Sequence, residues 1–130
     1  MTIMHILKDK IPVRIDAPGA VARQQGDFGG ASGTMAAEYF SLTAGTDIAP
    51  LLKGLKNDLC YAPHWGYILA GEVEVSYADG EAERCSLGDA FHWPGGHSVR
   101  VIADAEIVLF SPAELHGQVM DHMKGVMGLA

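Results

Sequence analysis

The chain is short of several things, and each shortage excludes something. It has two cysteines, Cys60 and Cys85, in 130 residues. That is too few for a disulfide framework, and nothing in the sequence favours a single bridge between them. Basic residues are scarce: nine Lys and Arg against 16 Asp and Glu, for a formal net charge of -7. Binding to nucleic acid through its phosphates needs basic patches, so that class of partner is not expected. No apolar run is long enough to span a bilayer. The first ten residues lack a basic leader followed by an apolar stretch and a small-residue cleavage site, so no secretory signal is read there and a cytoplasmic location is expected. Charged residues make up only 19% against 48% hydrophobic, which excludes a disordered chain. Internal repeats, linkers and composition shifts are also missing. The expectation is one domain over residues 1–130, a length sufficient for a hydrophobic core.

What the chain has in quantity is glycine, 16 residues, which points to many tight turns and an all-β fold. Ile11, Val13 and Ile15 alternate with Pro12, Arg14 and Asp16 and predict an edge strand, where proline is tolerated. Residues 16–30 read as a loop holding at most one short strand. Residues 34–42 read as a strand. Residues 49–55 suggest one helical turn, started by Pro50 and stopped by Gly54. The segment from Cys60 to Val75 predicts two strands joined at Gly71. Val73, Val75 and Tyr77 share one face, with Glu72, Glu74 and Ser76 on the other. Asp79-Gly80 is a hairpin signal leading into a return strand over 81–87. Residues 90–93, 98–102 and 107–110 predict further strands, the last two separated by a turn at Asp104-Ala105 and the last buried on both faces. From Ser111 the period changes. Ser111 as cap, Pro112 at the first position and Glu114 in a capping box start a helix over about 112–127. Its apolar stripe is expected at Leu115, Val119, Met123 and Val126. Met120, Met123 and Met127 are packing residues in this reading.

Strands at short regular spacing with Gly, Asp and Pro turns suggest a jelly roll or sandwich. Two segments then resemble the cupin superfamily. Tyr67-Ile68-Leu69-Ala70-Gly71-Glu72-Val73 is similar to that family's Y-V-L-x-G-x-hydrophobic segment. Gly88-Asp89-Ala90-Phe91-His92-Trp93-Pro94-Gly95-Gly96 is similar to its G-D-x-x-x-x-P-x-G segment, and the spacing leaves room for one hairpin between them. The resemblance implies a cupin jelly-roll β-barrel or sandwich with a pocket inside one end, often dimeric. The barrel core is expected over about residues 34–111, followed by the C-terminal helix.

The family's metal site takes two histidines and a glutamate from the first motif and one histidine from the second. Here that pattern departs. Counting back seven positions from Gly71 puts His64 where the family has glutamate, and Asp58 and Cys60 where it has histidines. The second-motif position is Val99, and the nearest histidine, His97, shares its strand parity.

The resulting candidate metal ligands are Cys60, His64 and His97, with Asp58 and His92 as alternatives. Thiolate and imidazole suit zinc or iron better than magnesium or manganese. Three protein ligands leave a position for water or substrate, compatible with oxygenase, isomerase or lyase chemistry on a small organic molecule. The alternative is a metal-free pocket that binds a small metabolite, or a vestigial pocket in a dimer. Pro63 interrupts the strand between Cys60 and His64, so the two share a pocket only if the backbone turns there. Trp93, Phe91, Tyr77 and Tyr39, together with Phe40, are candidate pocket walls. In Phe91-His92-Trp93 the histidine must face opposite to the aromatics, and it is read as outside. Trp65 and Tyr67 should face outward, toward the N-terminal strand or a second copy in a homodimer. His5, His116 and His122 are read as solvated or capping residues.

Overall fold

A computed structural model describes residues 4–129. Eight strands form one antiparallel sheet system: β1 Val13–Ala17, β2 Ala20–Gln25, β3 Gly30–Ala31, β4 Gly33–Leu42, β5 His64–Tyr77, β6 Ala82–Ser86, β7 Ala90–Trp93 and β8 His97–Pro112. The spatial order is β1-β2-β4-β8-β5-β6, with β3 on β4 and β7 on β5. A short helix, α1 (Ala49–Leu52), lies between β4 and β5, and α2 (Ala113–Met127) ends the fold. The all-β jelly-roll class with a C-terminal helix is what the turn spacing and alternation predict. No helix among the described residues is long and apolar enough to cross a membrane.

Two long strands replace the four shorter ones expected. β5 runs unbroken through Gly71, and β8 runs unbroken through Asp104 and Ala105. The two segments that read as turns face each other. Pairing between β5 and β8 shifts register between Ile68 and Val73, opposite residues 101–107. Buried positions on β5 accordingly change from His64 and Ile68 to Val73 and Val75, even to odd. Gly71 sits at this irregularity with φ +81°, and a Cβ there would lie 2.1 Å from the Asp104 carbonyl oxygen. Glycine is therefore required by conformation and by space, and the apparent turns are the two sides of a bulge.

The 107–110 segment is buried on one face only. Ile107 and Leu109 point into the core while Phe110 is 38% exposed, as an antiparallel sheet with a solvated face requires. Ile68, Val73, Val75, Trp93, Val101, Ile107 and Leu109 form the main core. Smaller clusters hold α2 and α1 against the sheet: Leu52, Cys60, Ala62 and Val119 in one, Ile15, Ala22 and Met120 in the other.

The start and face of α2 differ from the sequence reading. Pro112 occupies the N-cap position and no side chain caps the helix. Ser111 is instead the last inward residue of β8 and is fully buried. The buried helical face carries His116, Val119 and Met120, whereas Leu115 and Val126 are exposed. That stripe is the predicted one rotated by about one position. The helix closes on Gly128 in the left-handed conformation, with Leu129 N–H bonded to Lys124 O at 2.9 Å.

Candidate metal centre and adjoining cavity

Three chain segments bring Cys60, His64 and His97 together. Cys60 precedes β5 and pairs with the first residue of β8: its N–H donates to His97 O at 2.9 Å. His64 opens β5 beyond Pro63, and its Nε2 lies 3.8 Å from Cys60 Sγ. His97 opens β8 facing inward. Pro63 thus lets both residues look the same way, because Cys60 is held by His97 rather than by a continuation of β5. One donor atom from each of the three residues falls within 4.8 Å of the others, and all three residues are buried.

Hydrogen bonds settle which ring nitrogens are free. The Ser111 hydroxyl donates to Glu38 Oε1, so its oxygen is left to accept. His64 Nδ1 lies 2.6 Å from that oxygen and must carry the proton. His97 Nδ1 lies 2.8 Å from Pro94 O, an acceptor only, so it carries its proton there too. Burial holds His64 well below the ordinary histidine range, helped by the charges of His116, His97 and His92. Burial likewise lowers His97 to about 4, against an opposing contribution from the Pro94 bond. Both rings are neutral at pH 7, and each keeps a lone pair on Nε2. That is the arrangement a metal-ligating histidine needs, with the other ring nitrogen fixed by an outer partner. Burial pushes the Cys60 thiol up to about 12, and its S–H points to Ala62 O at 3.7 Å.

A second cluster, Glu38, His64 and His116, also converges. It is built differently. Glu38 is wholly buried on β4 and accepts from Ser111, from His116 Nδ1 and from Gln24 Nε2, the last at 2.7 Å. Arg14 on β1 donates in turn to Gln24 and, at 2.6 Å, to Asp121. Each carboxylate oxygen is already engaged. The group works as an outer layer that orients His64 and His116, with its buried charge satisfied by three donors.

The two clusters meet at one cavity wall. A cavity of about 200 Å³ lies between α2 and the inner face of the sheet. Its polar wall includes Cys60, His64, His97 and His116, while Glu38 and Ser111 stay behind it. The remainder is mostly apolar, including Phe40, Leu109, Val119, Met120, Met123 and Met127. Trp93 also lines it and is 3% exposed. Its Nε1 has no hydrogen-bond partner among the described residues.

Other candidates lie elsewhere. Asp58 is exposed, in a left-handed turn conformation (φ 56°), and its Oδ1 takes the Gly54 N–H at 3.0 Å. It serves that turn and not the cluster. His92 is exposed and stacks on Trp65 at 4.8 Å between ring centroids, on the outer face as its parity implies. Of the expected aromatic walls only Trp93 and Phe40 line the cavity. Phe91 stacks on Trp93 behind it. Tyr39 bonds Glu106 at 3.1 Å on the strand face opposite Glu38 and Phe40, whereas Tyr77 shares the inward face of Val73 and Val75, packs on the main core and bonds Glu83 away from the cavity. His5 is exposed, and His122 Nε2–H donates to Lys53 O beyond α1 at 2.7 Å, so these two fit the solvated or capping reading. His116 does not: it is buried in the cavity wall and bonded to Glu38. Sequence reasoning missed Glu38, Ser111 and His116. The available signal was Glu38 itself, a charged residue on the strand face shared with Ala36, Phe40 and Leu42.

No protein-family model matches the sequence, and no curated protein does. Solved structures do match in fold. Oxalate decarboxylase of Lactobacillus farciminis, in a formate complex, is 19% identical with a TM-score of 0.62, over 86% of this chain and 33% of that one. The chain thus spans about a third of that enzyme's length. Ectoine synthase from P. lautus is 19% identical with a TM-score of 0.60, covering 90% of this chain and 86% of that one. The polyketide cyclase RemF from Streptomyces resistomycificus is 15% identical with a TM-score of 0.59, covering 86% and 80%.

Proposed function

Because this chain has the cupin fold, we propose that Cys60, His64 and His97 hold one divalent transition metal, zinc or iron, and that the adjoining cavity takes a small organic ligand. The observation that carries the reading is the fixed protonation of the two imidazoles. Both rings present Nε2 lone pairs beside a thiol, with donor atoms within 4.8 Å. Two nitrogens and one sulfur suit zinc or ferrous iron. A metal bound by three protein ligands would supply Lewis acidity to an oxygen-bearing ligand in the cavity. The residues behind the wall do the positioning: Ser111 and Pro94 keep the rings turned, and Glu38 keeps Ser111 turned. The apolar helix face keeps water from that side.

Metal content decides it. Protein purified anaerobically without chelator is expected to carry about one equivalent of metal, or to take up one equivalent of Zn(II) or Fe(II) on titration. Cys60→Ala and His64→Ala should each lose it. A wild-type chain that neither carries nor accepts metal overturns the reading.

A metal-free ligand-binding role is the second reading. It is favoured by the Cys60 thiol, which at about 12 is protonated and neutral, and is already directed to Ala62 O. We also propose a homodimer through the outer sheet face, where Trp65, Tyr67 and Leu69 are each more than 40% exposed. Sedimentation of wild type against Trp65→Lys tests it, a monomer in both being the contrary result. A cytoplasmic location belongs to the same reading, two free cysteines being compatible with a reducing compartment.

A further inference from the structure

The cavity has a polar anchor that the metal reading does not use. His116 projects from α2 into the wall, and its Nδ1 edge is held by Glu38. Glu38 is itself fixed by Gln24 and Ser111 and lies behind the wall. The ring is thus clamped along one edge by a buried carboxylate, while the residue faces the cavity. Its ring centroid is 4.3 Å from that of His64, so a molecule in the cavity can touch both the metal cluster and His116. Around this anchor the wall is built from Phe40, Leu109, Val119, Met120 and Met123.

Size and chemistry narrow the occupant. A dry apolar cavity of roughly 150 Å³ accepts benzene. The present cavity is about 200 Å³. It fits one ring with a small substituent, or an aliphatic body of that size. The methionine-rich helix face suits an aromatic ring, since thioether–aromatic contacts are favourable. The polar group opposite His116 must satisfy Nε2 whether or not that nitrogen carries a proton. A hydroxyl both donates and accepts, and so matches either state.

We propose that the cavity binds a single-ring, largely apolar molecule bearing one hydroxyl, with the hydroxyl bonded to His116 and the ring against Phe40 and the α2 methionines. This deepens the ligand half of the proposed function and stands without the metal half.

The test uses three fluorinated single-ring probes, 4-fluorophenol, its near-isostere 4-fluorotoluene and the larger anion 4-fluorobenzoate, followed by ¹⁹F NMR on the full chain. Metal content is measured on the same samples, so that loss of metal and loss of probe binding are read separately. Wild type should bind 4-fluorophenol roughly tenfold more tightly than 4-fluorotoluene, the scale of one net hydrogen bond. His116→Asn puts an amide where Nδ1 was, preserving a donor to Glu38 but removing Nε2. It should bind the two probes equally. His116→Gln, whose amide reaches the Nε2 position, should restore part of the preference. Met123→Phe narrows the cavity and should weaken both probes together. Equal affinity of the phenol and toluene probes for wild type overturns the proposal without any variant having to fold. So does tightest binding of the benzoate, which would assign the site to anions, and so does binding of none of the three.

Discussion

His64 Nδ1 lies 2.6 Å from Ser111 Oγ, and the same hydroxyl donates to Glu38. One serine therefore fixes the tautomer of a histidine on one strand by means of a carboxylate on another. Ser111→Ala should free His64 to rotate or change tautomer, and should leave one Glu38 oxygen with one donor fewer. Metal affinity is expected to fall by about 10–100-fold, the usual effect of losing an outer partner. Stability should fall by about 1–3 kcal/mol. Competition with a chromogenic chelator reads the first and urea unfolding the second. Undiminished metal affinity would show that His64 is oriented by packing alone.

Glu38 carries more. Three buried donors converge on it, and replacing it with leucine strands all of them. Glu38→Leu is expected to destabilise by about 3–5 kcal/mol, as when one partner of a buried charged network is removed. Glu38→Gln should cost less, because the amide oxygen still accepts while its NH₂ opposes a donor. Denaturant midpoints for both, with unchanged slopes, check the order. Equal stability of wild type and the leucine variant would mean that the network adds nothing to the fold.

Much of the fold was legible because its signals are local. Alternation marked β1 and the second half of β5, and Asp79-Gly80 marked the hairpin. The two split strands share one cause: Gly71 and Asp104-Ala105 look like turns singly, and only their pairing across β5 and β8 makes them a bulge. At the site, Cys60 and His64 were reachable by counting from Gly71, and His97 as the histidine nearest the second-motif position, since motif spacing survives as spacing along the chain. The layer behind them was not. Glu38, Ser111 and His116 come from β4, the end of β8 and α2, and are joined only by tertiary packing. Ser111 also carried a plausible local role as a helix cap, which tertiary bonding overrode.

The bulge makes its own prediction. At Gly71 an added methyl would meet the Asp104 carbonyl at 2.1 Å and the Ala103 carbonyl at 2.7 Å, with φ at +81°. Left-handed conformation alone costs a non-glycine residue about 1–2 kcal/mol, and backbone atoms cannot yield as a side-chain tip can. Gly71→Ala should destabilise by more than that and lower the melting temperature by roughly ten degrees or more. Gly80→Ala is the control: its φ is similar at +88°, but nothing lies within 4 Å. A comparable loss in both would mean that conformation, not crowding, governs the bulge.

Asp58 and His92 should be dispensable for metal. Asp58→Ala removes a turn contact to Gly54, and His92→Ala removes a stack on Trp65, both on the surface. Each is expected to change stability by no more than about 1 kcal/mol and to leave metal stoichiometry at the wild-type value. Elemental analysis of either variant showing loss of the metal would move the centre away from Cys60, His64 and His97.

The last expectation concerns acid. His97 is lowered to about 4 by burial, and His64 is shifted in the same direction. In the unfolded chain both titrate near 6.5. Between those values the unfolded chain binds more protons than the folded one, so unfolding free energy rises with pH across the window. Stability is therefore whole above about pH 6.5 and declines as pH falls toward 4. His97 alone accounts for about 3 kcal/mol of that decline at the lower end. His64 adds to it with the same sign. A bound metal steepens the loss further, because protons compete for the same Nε2 lone pairs. Urea midpoints at pH 7, 6, 5 and 4.5 should drop steadily, and His97→Gln should flatten the profile. Metal-stripped protein separates the two contributions, since the decline persists in it with a smaller slope. A midpoint that holds steady or rises on acidification would mean that neither histidine is buried as a neutral ring.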